Sequence, residues 1–402
     1  MIKQIKITNF YSFSQETIVL QPDVNILIGI NGSGKSNFLK AVRFLYEGIA
    51  GRGLQAYIFE NLGGFKNILF KGKQGGDENV IELAYTLDRN VLNSFSNEGI
   101  HFPEDIIYSV KIIRSHSSNN YFVEEHITTV KEGEYLHFKY GAGSATEMLT
   151  EDTFGFKISH TDFDSGELAL REIGSNRRFP YLTVIRKSLR QMAIYEHFDT
   201  GQQSPIRSAV LATSGKRLNA DAGNLAQILN TIKLNHKSAY HKIVAMLAEV
   251  NPNFSGIDFN VIGGSNIELM LEEKGLESSI HVSSISDGTL RYLCLLAILY
   301  NPERGKFICI DEPETGLHPD MIRGIAKAIK EAAQNSTIVV STHSVNLLNY
   351  FSISDLRVFE KNDDNSTKVV TYTEEQFEGW YDVFLCGQMW VAGDFGGVRY
   401  GG

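Results

Sequence analysis

Gly29-Ile30-Asn31-Gly32-Ser33-Gly34-Lys35-Ser36 satisfies the pattern G-x-x-x-x-G-K-[ST] at every fixed position. Ahead of it, Val24-Asn25-Ile26-Leu27-Ile28 reads as a short apolar strand. After it, the stretch 37–46 spaces its apolar residues as a helix does. Strand, glycine loop and helix form the context in which backbone N–H groups close around phosphate oxygens, with the positive end of the helix dipole behind them. The cradle runs over Gly29, Asn31, Gly32, Ser33, Gly34, Lys35, Ser36 and Asn37. Lys35 is expected to reach the β- and γ-phosphates of a nucleoside triphosphate, and Ser36 to hold Mg²⁺.

A phosphate loop needs acids opposite it. Lys306-Phe307-Ile308-Cys309-Ile310-Asp311-Glu312-Pro313 reads as a buried strand ending in two carboxylates. Asp311 is expected to hold Mg²⁺ through water, and Glu312 to polarise the attacking water as general base. Alone, the stretch also reads as a strand capped by solvated acids; the glycine loop weighs against that. Glu314-Thr315-Gly316-Leu317-His318-Pro319 then leads into a helix over 321–334. A second buried strand, Thr337-Ile338-Val339-Val340, ends at Ser341-Thr342-His343-Ser344. His343, at the end of the next strand, can reach a γ-phosphate as a sensor; alone a strand-end histidine reads as structural, but the order of motifs favours the functional reading. Upstream, Ser286-Asp287-Gly288-Thr289 opens an apolar helix from Tyr292 to Tyr300. Locally it reads equally well as an anion site and as an ordinary Ser N-cap with Asp in the first turn.

The bulk numbers fit this reading. The 402 residues suffice for two or three lobes, and 43% hydrophobic with 21% charged residues is ordinary for a soluble globular protein. A net charge of −9 argues against a broadly basic, DNA-coating surface. No apolar run is long enough to span a membrane, and the N-terminus lacks a signal peptide's apolar core, so a cytoplasmic location is expected. Cys294, Cys309 and Cys386 show no metal spacing and read as buried thiols.

Between the two ends, short strands dominate from Val80 to about residue 161, as in an antiparallel layer. The segments 182–197 and 224–247 carry helical periodicity, and 200–205 between them reads as a mobile loop. Strands resume at 257–261 and 267–271. The expected division is an N-terminal half over 1–175, a helical insertion over 176–254 and a C-terminal half over 255–402.

The full order of motifs resembles that of the ABC-type ATPase superfamily. It looks most like the RecF, SMC and OLD branch and the stand-alone bacterial "predicted ATPase" families of the AAA15/AAA21 type. The opening Ile5-Lys6-Ile7-Thr8-Asn9-Phe10-Tyr11-Ser12-Phe13, the Glu-Thr-Gly-Leu-His-Pro loop and the Ser-Thr-His-Ser turn carry the resemblance. It covers about residues 1–90 and 255–350, and the tail 385–400 is similar too. It implies an α/β fold: an ABC-type P-loop NTPase head with a mixed central sheet, an antiparallel β layer and an inserted helical subdomain. It implies ATP and Mg²⁺ as ligands. Two heads would sandwich ATP in a homodimer or higher oligomer, with Ser286, Asp287, Gly288 and Thr289 as the signature facing the other head's γ-phosphate. The acid at 287 departs from the family pattern, and Arg291 is a candidate to neutralise it. Gln74 is the nearest Q-loop candidate, although a solvated loop glutamine reads better there.

By the same resemblance the chain is an ATP-driven switch in antiphage defence or DNA maintenance, with a separate nuclease or toxin subunit. Residues 344–402 are too few for the TOPRIM nuclease of OLD proteins, and Asp382 and Asp394 are isolated. DNA or RNA is a possible partner, and a membrane is not. Arg177, Arg178, Arg186, Lys187, Arg190, Lys216 and Arg217 could contact phosphates or the partner, although solvated helix surface accounts for any one of them. The alternatives are a slow-hydrolysing, ATP-bound scaffold that restrains a partner and, less favoured, a transporter ATPase subunit.

Overall fold

The computed structural model describes residues 1–72, 79–97, 99–115, 120–131, 133–150, 153–158, 163–173, 178–377 and 385–396. In chain order the strands are β1 (Ile2–Phe10), β2 (Phe13–Val19), β3 (Val24–Ile28), β4 (Val80–Leu87), β5 (Ile106–Arg114) and β6 (Tyr121–Thr129). Then come β7 (Glu134–Lys139), β8 (Ala142–Thr150), β9 (Thr153–Ile158), β10 (Met192–Tyr195), β11 (Val210–Leu211) and β12 (Phe254–Ile262). The last six are β13 (Asn266–Glu273), β14 (Ile280–His281), β15 (Phe307–Asp311), β16 (Thr337–Ser341), β17 (Leu356–Lys361) and β18 (Thr367–Val370).

Two sheets do most of the building. One is antiparallel, ordered β2-β1-β4-β5-β6-β7-β8-β9; the other is ordered β10-β15-β16-β3-β17-β18. In the second, only the β17–β18 pair is antiparallel. Alternation explains the first sheet: every second residue of β4 to β6 is buried, so one face meets the core and the other meets solvent. Continuous burial explains the second: every residue of β3, β10 and β16 is buried, as expected of a sheet covered on both faces.

The second sheet divides two hydrophobic cores. Ile26, Ile308, Ile310, Ile338 and Val340 point to one side, into the helices Leu225–Asn235, Lys237–Val250, Asp287–Leu299 and Pro319–Ala333. Leu27, Phe307, Cys309, Val339 and Phe359 point to the other, where the helix Lys35–Ile49 and the antiparallel sheet pack. This is the mixed α/β head with an antiparallel layer that the motifs imply. Among the described residues no helix is long and apolar enough to cross a membrane. All three cysteines are free and buried, and burial pushes the Cys294 and Cys309 thiols far up.

Three sequence expectations need correcting. The helix begun at Pro180 stops at Leu189, and Met192–Tyr195 is a strand paired in parallel with β15. The segment 176–254 is therefore not wholly helical: it supplies the edge of the central sheet and also β11, which pairs with β13. Nor does 200–205 hang free. Thr200 and Ser204 are buried, and Arg207 Nε donates to the Thr200 carbonyl at 2.9 Å. Gln74, Arg177, Asp382 and the stretch 397–400 lie outside the described residues.

Candidate functional site

The helix Lys35–Ile49 begins at Gly34, which has φ 118° and no side-chain cap. Ser286 and His318 cap Asp287–Leu299 and Pro319–Ala333, whereas Pro180–Leu189, Leu225–Asn235 and Lys237–Val250 also start without a side-chain cap. Leaving a buried 15-residue helix uncapped presents first-turn N–H groups to whatever lies in the loop. The backbone requires its glycines. A Cβ on Gly34 would stand 2.4 Å from Thr367 Oγ1, and one on Gly29 2.3 Å from the Phe359 carbonyl. Ser33 Oγ is buried in the loop without a hydrogen-bond partner among the described residues. An uncapped helix end, crowded glycines and an orphaned hydroxyl fit a ligand rich in acceptors.

The loop is braced from a distance. Thr367 Oγ1 donates to the Ser33 carbonyl at 2.7 Å and is bonded to Ser12 Oγ at 2.8 Å. Asn37 Nδ2 donates to the same Ser12 hydroxyl at 3.0 Å. A cleft of about 800 Å³ opens alongside, lined by Tyr11, Ser12, Asn37, Phe70, Lys71 and Asn365 among others.

Lys35 is 6% exposed, and its Nζ donates to the Gly29 carbonyl at 2.7 Å and the Ile30 carbonyl at 3.3 Å. Burial lowers its pKa to about 8, opposed by the charges of Glu312 and Asp311. Asp311 ends β15 and Glu312 follows it, and β15 is separated from β3 only by β16. The three regions thus meet at the carboxyl ends of parallel strands, where open α/β sheets bind ligands.

Asp311 accepts a short hydrogen bond from the Ser341 hydroxyl. Its pKa is raised, chiefly by burial, with Glu312 adding to the rise and the Ser341 bond opposing it. Glu312 sits at φ 45°, a left-handed conformation uncommon for such a residue. Its N–H donates to the Ser341 carbonyl at 3.0 Å. Its carboxylate accepts from Thr315 Oγ1 at 3.2 Å and lies 3.6 Å from His343 Nε2. Ser36 is exposed at the start of the helix, so its hydroxyl and the Asp311 carboxylate are the pair that could hold a divalent cation.

Sequence reasoning missed three contributors. Glu314 Oε1 accepts from Thr342 Oγ1 at 2.6 Å, the His343 N–H at 3.0 Å and the Ser344 N–H at 3.2 Å, which pins the histidine turn to the end of β15. Glu196 and His197 follow β10 and line a cleft of about 100 Å³ with Asp311, Glu312 and Arg291. A helical reading of 182–197 hid them.

The signature positions gather against other partners. Ser286 Oγ is bonded to Thr289 Oγ1 at 2.8 Å and accepts the Thr289 N–H at 3.2 Å. A Cβ on Gly288 would stand 3.1 Å from the Gly316 carbonyl. Asp287 is paired with Arg207 at 2.7 Å, whereas Arg291 donates to the Thr315 carbonyl at 3.4 Å. The neutralising group is therefore Arg207, not Arg291. Its side chain is 4% exposed and also donates to the Thr200 and Val282 carbonyls. Arg207→Ala is expected to destabilise the protein by about 2–3 kcal/mol, because two buried carbonyls lose a charged donor. Urea unfolding reads this, and Arg207→Lys should recover only part of it.

Of the basic positions that could contact phosphates, Arg217 is committed internally: it donates to the Glu303 and Arg190 carbonyls.

A glycine-loop helix, a two-acid strand end and a strand-end histidine on one mixed sheet define a P-loop NTPase of the ABC type. A family profile described as "AAA ATPase domain" matches residues 1–203. The chain belongs to that AAA ATPase domain family, within the RecF/SMC branch of ABC-type ATPases, and is an ATP-hydrolysing enzyme. A second profile, "AAA domain, putative AbiEii toxin, Type IV TA system", matches 182–349. An ATP/GTP phosphatase of Helicobacter pylori is 24% identical over 92% of this chain and 91% of its own length. The DNA replication and repair protein RecF of Cronobacter sakazakii is 33% identical over 22% of this chain and 25% of its own. Among solved structures, an Smc head bound to the C-terminal winged helix domain of ScpA superposes with a TM-score of 0.61 at 13% identity, over 94% of this chain and 99% of that one. An Smc head with an extended coiled coil, bound to the C-terminal domain of ScpA derived from Pyrococcus furiosus, gives 0.54 at 14% identity, over 95% and 98%. At such identities the likeness is one of fold.

Proposed function

We propose that this ATPase is a Mg²⁺-dependent dimeric switch whose two heads close on ATP. Lys35 and the amides of 31–37 hold the β- and γ-phosphates. Ser36 and Asp311 would hold Mg²⁺, which would neutralise developing phosphate charge. Glu312 takes the proton of the attacking water, and His343 sits against Glu312 where it reads the γ-phosphate. Tyr11 and Phe70, on the cleft beside the loop, suit stacking against a base. Ser286, Asp287, Gly288 and Thr289 complete the site of a second copy, with Arg207 cancelling the Asp287 charge that would otherwise repel phosphate. The observation that supports the nucleotide site is the orphaned Ser33 hydroxyl in the glycine loop, with buried Lys35 beside it in the field of Asp311 and Glu312.

The output we propose is control of a separate nuclease or toxin subunit in antiphage defence or DNA maintenance. The profile named for a Type IV TA system and the RecF relative support a role in defence or DNA maintenance.

The dimer is tested by measuring turnover per chain against chain concentration. A rise followed by a plateau is expected. Ser286→Arg should abolish the rise while leaving binding of a fluorescent ATP analogue intact. Turnover per chain that is flat with concentration and untouched by Ser286→Arg would remove the two-headed reading.

A further inference from the structure

The outer face of the antiparallel sheet carries a cluster that the nucleotide chemistry does not use. On β6 the residues Tyr121, Val123, Glu125 and Ile127 are buried, so Glu124 and His126 project from the other face. On β7, Leu136 and Phe138 are buried and His137 is directed outward, opposite His126. Plain alternation would send Tyr135 out with His137 and turn Glu134 inward. A β-bulge prevents this. The register shifts between Ile127 and Thr128, Tyr135 packs inward beside Phe102 and Tyr181, and Glu134 is re-aimed to the face that bears the histidines.

The result is a compact set of ligand atoms. Glu134 Oε1 lies 2.9 Å from His126 Nε2 and 3.5 Å from His137 Nδ1. One ligand atom from each of the three residues falls within 4.8 Å of the others. Two ligands of a tetrahedral ion with bonds of about 2.05 Å stand about 3.3 Å apart; the two separations from Glu134 Oε1 lie on either side of that value. The second nitrogen of His137 faces Glu124 Oε1 at 3.8 Å, the outer carboxylate that orients a metal-bound imidazole. Lys139 holds Glu124 from its other side at 3.1 Å. Exposed cross-strand ion pairs alone stabilise a sheet by little, so ion pairing is a weak reason to spend a bulge on this arrangement.

We propose that His126, Glu134 and His137 form a binding site for one divalent transition-metal ion, Zn²⁺ by preference, that ties β6 to β7. Two imidazoles and a carboxylate select zinc-class ions over Mg²⁺, which keeps to oxygen ligands. The side chains are between 34% and 45% exposed, so a water molecule can complete the coordination.

The test uses full-length protein, free of any histidine tag and stripped with chelator, titrated with ZnCl₂ by calorimetry in excess Mg²⁺. One Zn²⁺ per chain is expected. His126→Ala, His137→Ala and Glu134→Gln should each weaken uptake by at least about tenfold, whereas His101→Ala, at an exposed histidine elsewhere, should not. Glu134→Gln leaves both rings in place, so its loss of zinc is not a loss of fold. Co²⁺ should give the visible absorption of a four-coordinate site in the wild type alone. Undetectable zinc uptake by the wild type, or equal uptake by the Glu134→Gln and wild-type proteins, would overturn the proposal.

Discussion

Glu312→Gln is expected to lower the turnover number by about 10² to 10⁴-fold, the span usual for loss of a general base, with little change in ATP affinity. The substitution is nearly isosteric, so the bond from Thr315 Oγ1 and the backbone bond to Ser341 have no reason to break. What disappears is the lone pair that takes the water's proton. One negative charge also leaves the neighbourhood. Asp311 is raised partly by Glu312, so its carboxyl should ionise more readily in the variant and retain its grip on a cation. Lys35 loses one of the two charges that oppose its burial, so its pKa should fall further. Single-turnover hydrolysis with labelled ATP separates the outcomes: bound ATP should persist uncleaved. If Glu312→Gln turns over ATP within about threefold of the wild type, less than the smallest loss a positioned base would give, another group is the base. Glu196, in the same cleft, would then be the first to examine.

What could be read from the chain before its structure follows from sequence distance. The glycine loop and the two-acid strand are local: a few residues with a required backbone path carry each pattern. The structure returned both as strand ends of one sheet. β10 was illegible because four apolar residues after a helix have no periodicity of their own, and a short apolar run fits a helix tail as well as a buried strand. Only its pairing with β15 decides the matter. The Arg207–Asp287 pair spans 80 residues and the Thr367–Ser12 brace 355. No local pattern marks either one, since each exists only because the fold returns the chain to that place. Glu314 was visible as part of a loop motif, yet its work, holding three groups of the His343 turn, depends on how β15 and β16 end side by side. The Glu134 bulge is hidden for another reason: it breaks the alternation by which a strand is read.

Lys35→Met is expected to cost about 10²-fold in ATP affinity, because one or two charge-assisted hydrogen bonds, each about 1.5–3 kcal/mol, are lost. Its pH behaviour makes the prediction sharper. Burial lowers the Lys35 pKa to about 8 in the free protein, well below the value of an unfolded lysine, about 10.4. Between these values the unfolded chain holds more protons than the folded one, so the stability of the free protein should rise as pH climbs from about 8 towards 10. Nucleotide affinity should move the other way. Phosphate favours the ammonium form, and above pH 8 that form must be regained by taking up a proton. Affinity for a non-hydrolysable ATP analogue should therefore fall by up to about tenfold per pH unit above 8. Calorimetry in two buffers of different ionisation enthalpy should register proton uptake. Lys35→Met should flatten both profiles, and Lys35→Arg, which keeps its charge throughout, should flatten the affinity profile without the loss at neutral pH being as deep. Wild-type affinity that stays level from pH 7 to about 9.5, more than a unit past that pKa, would mean that the Lys35 charge is not what grips the triphosphate.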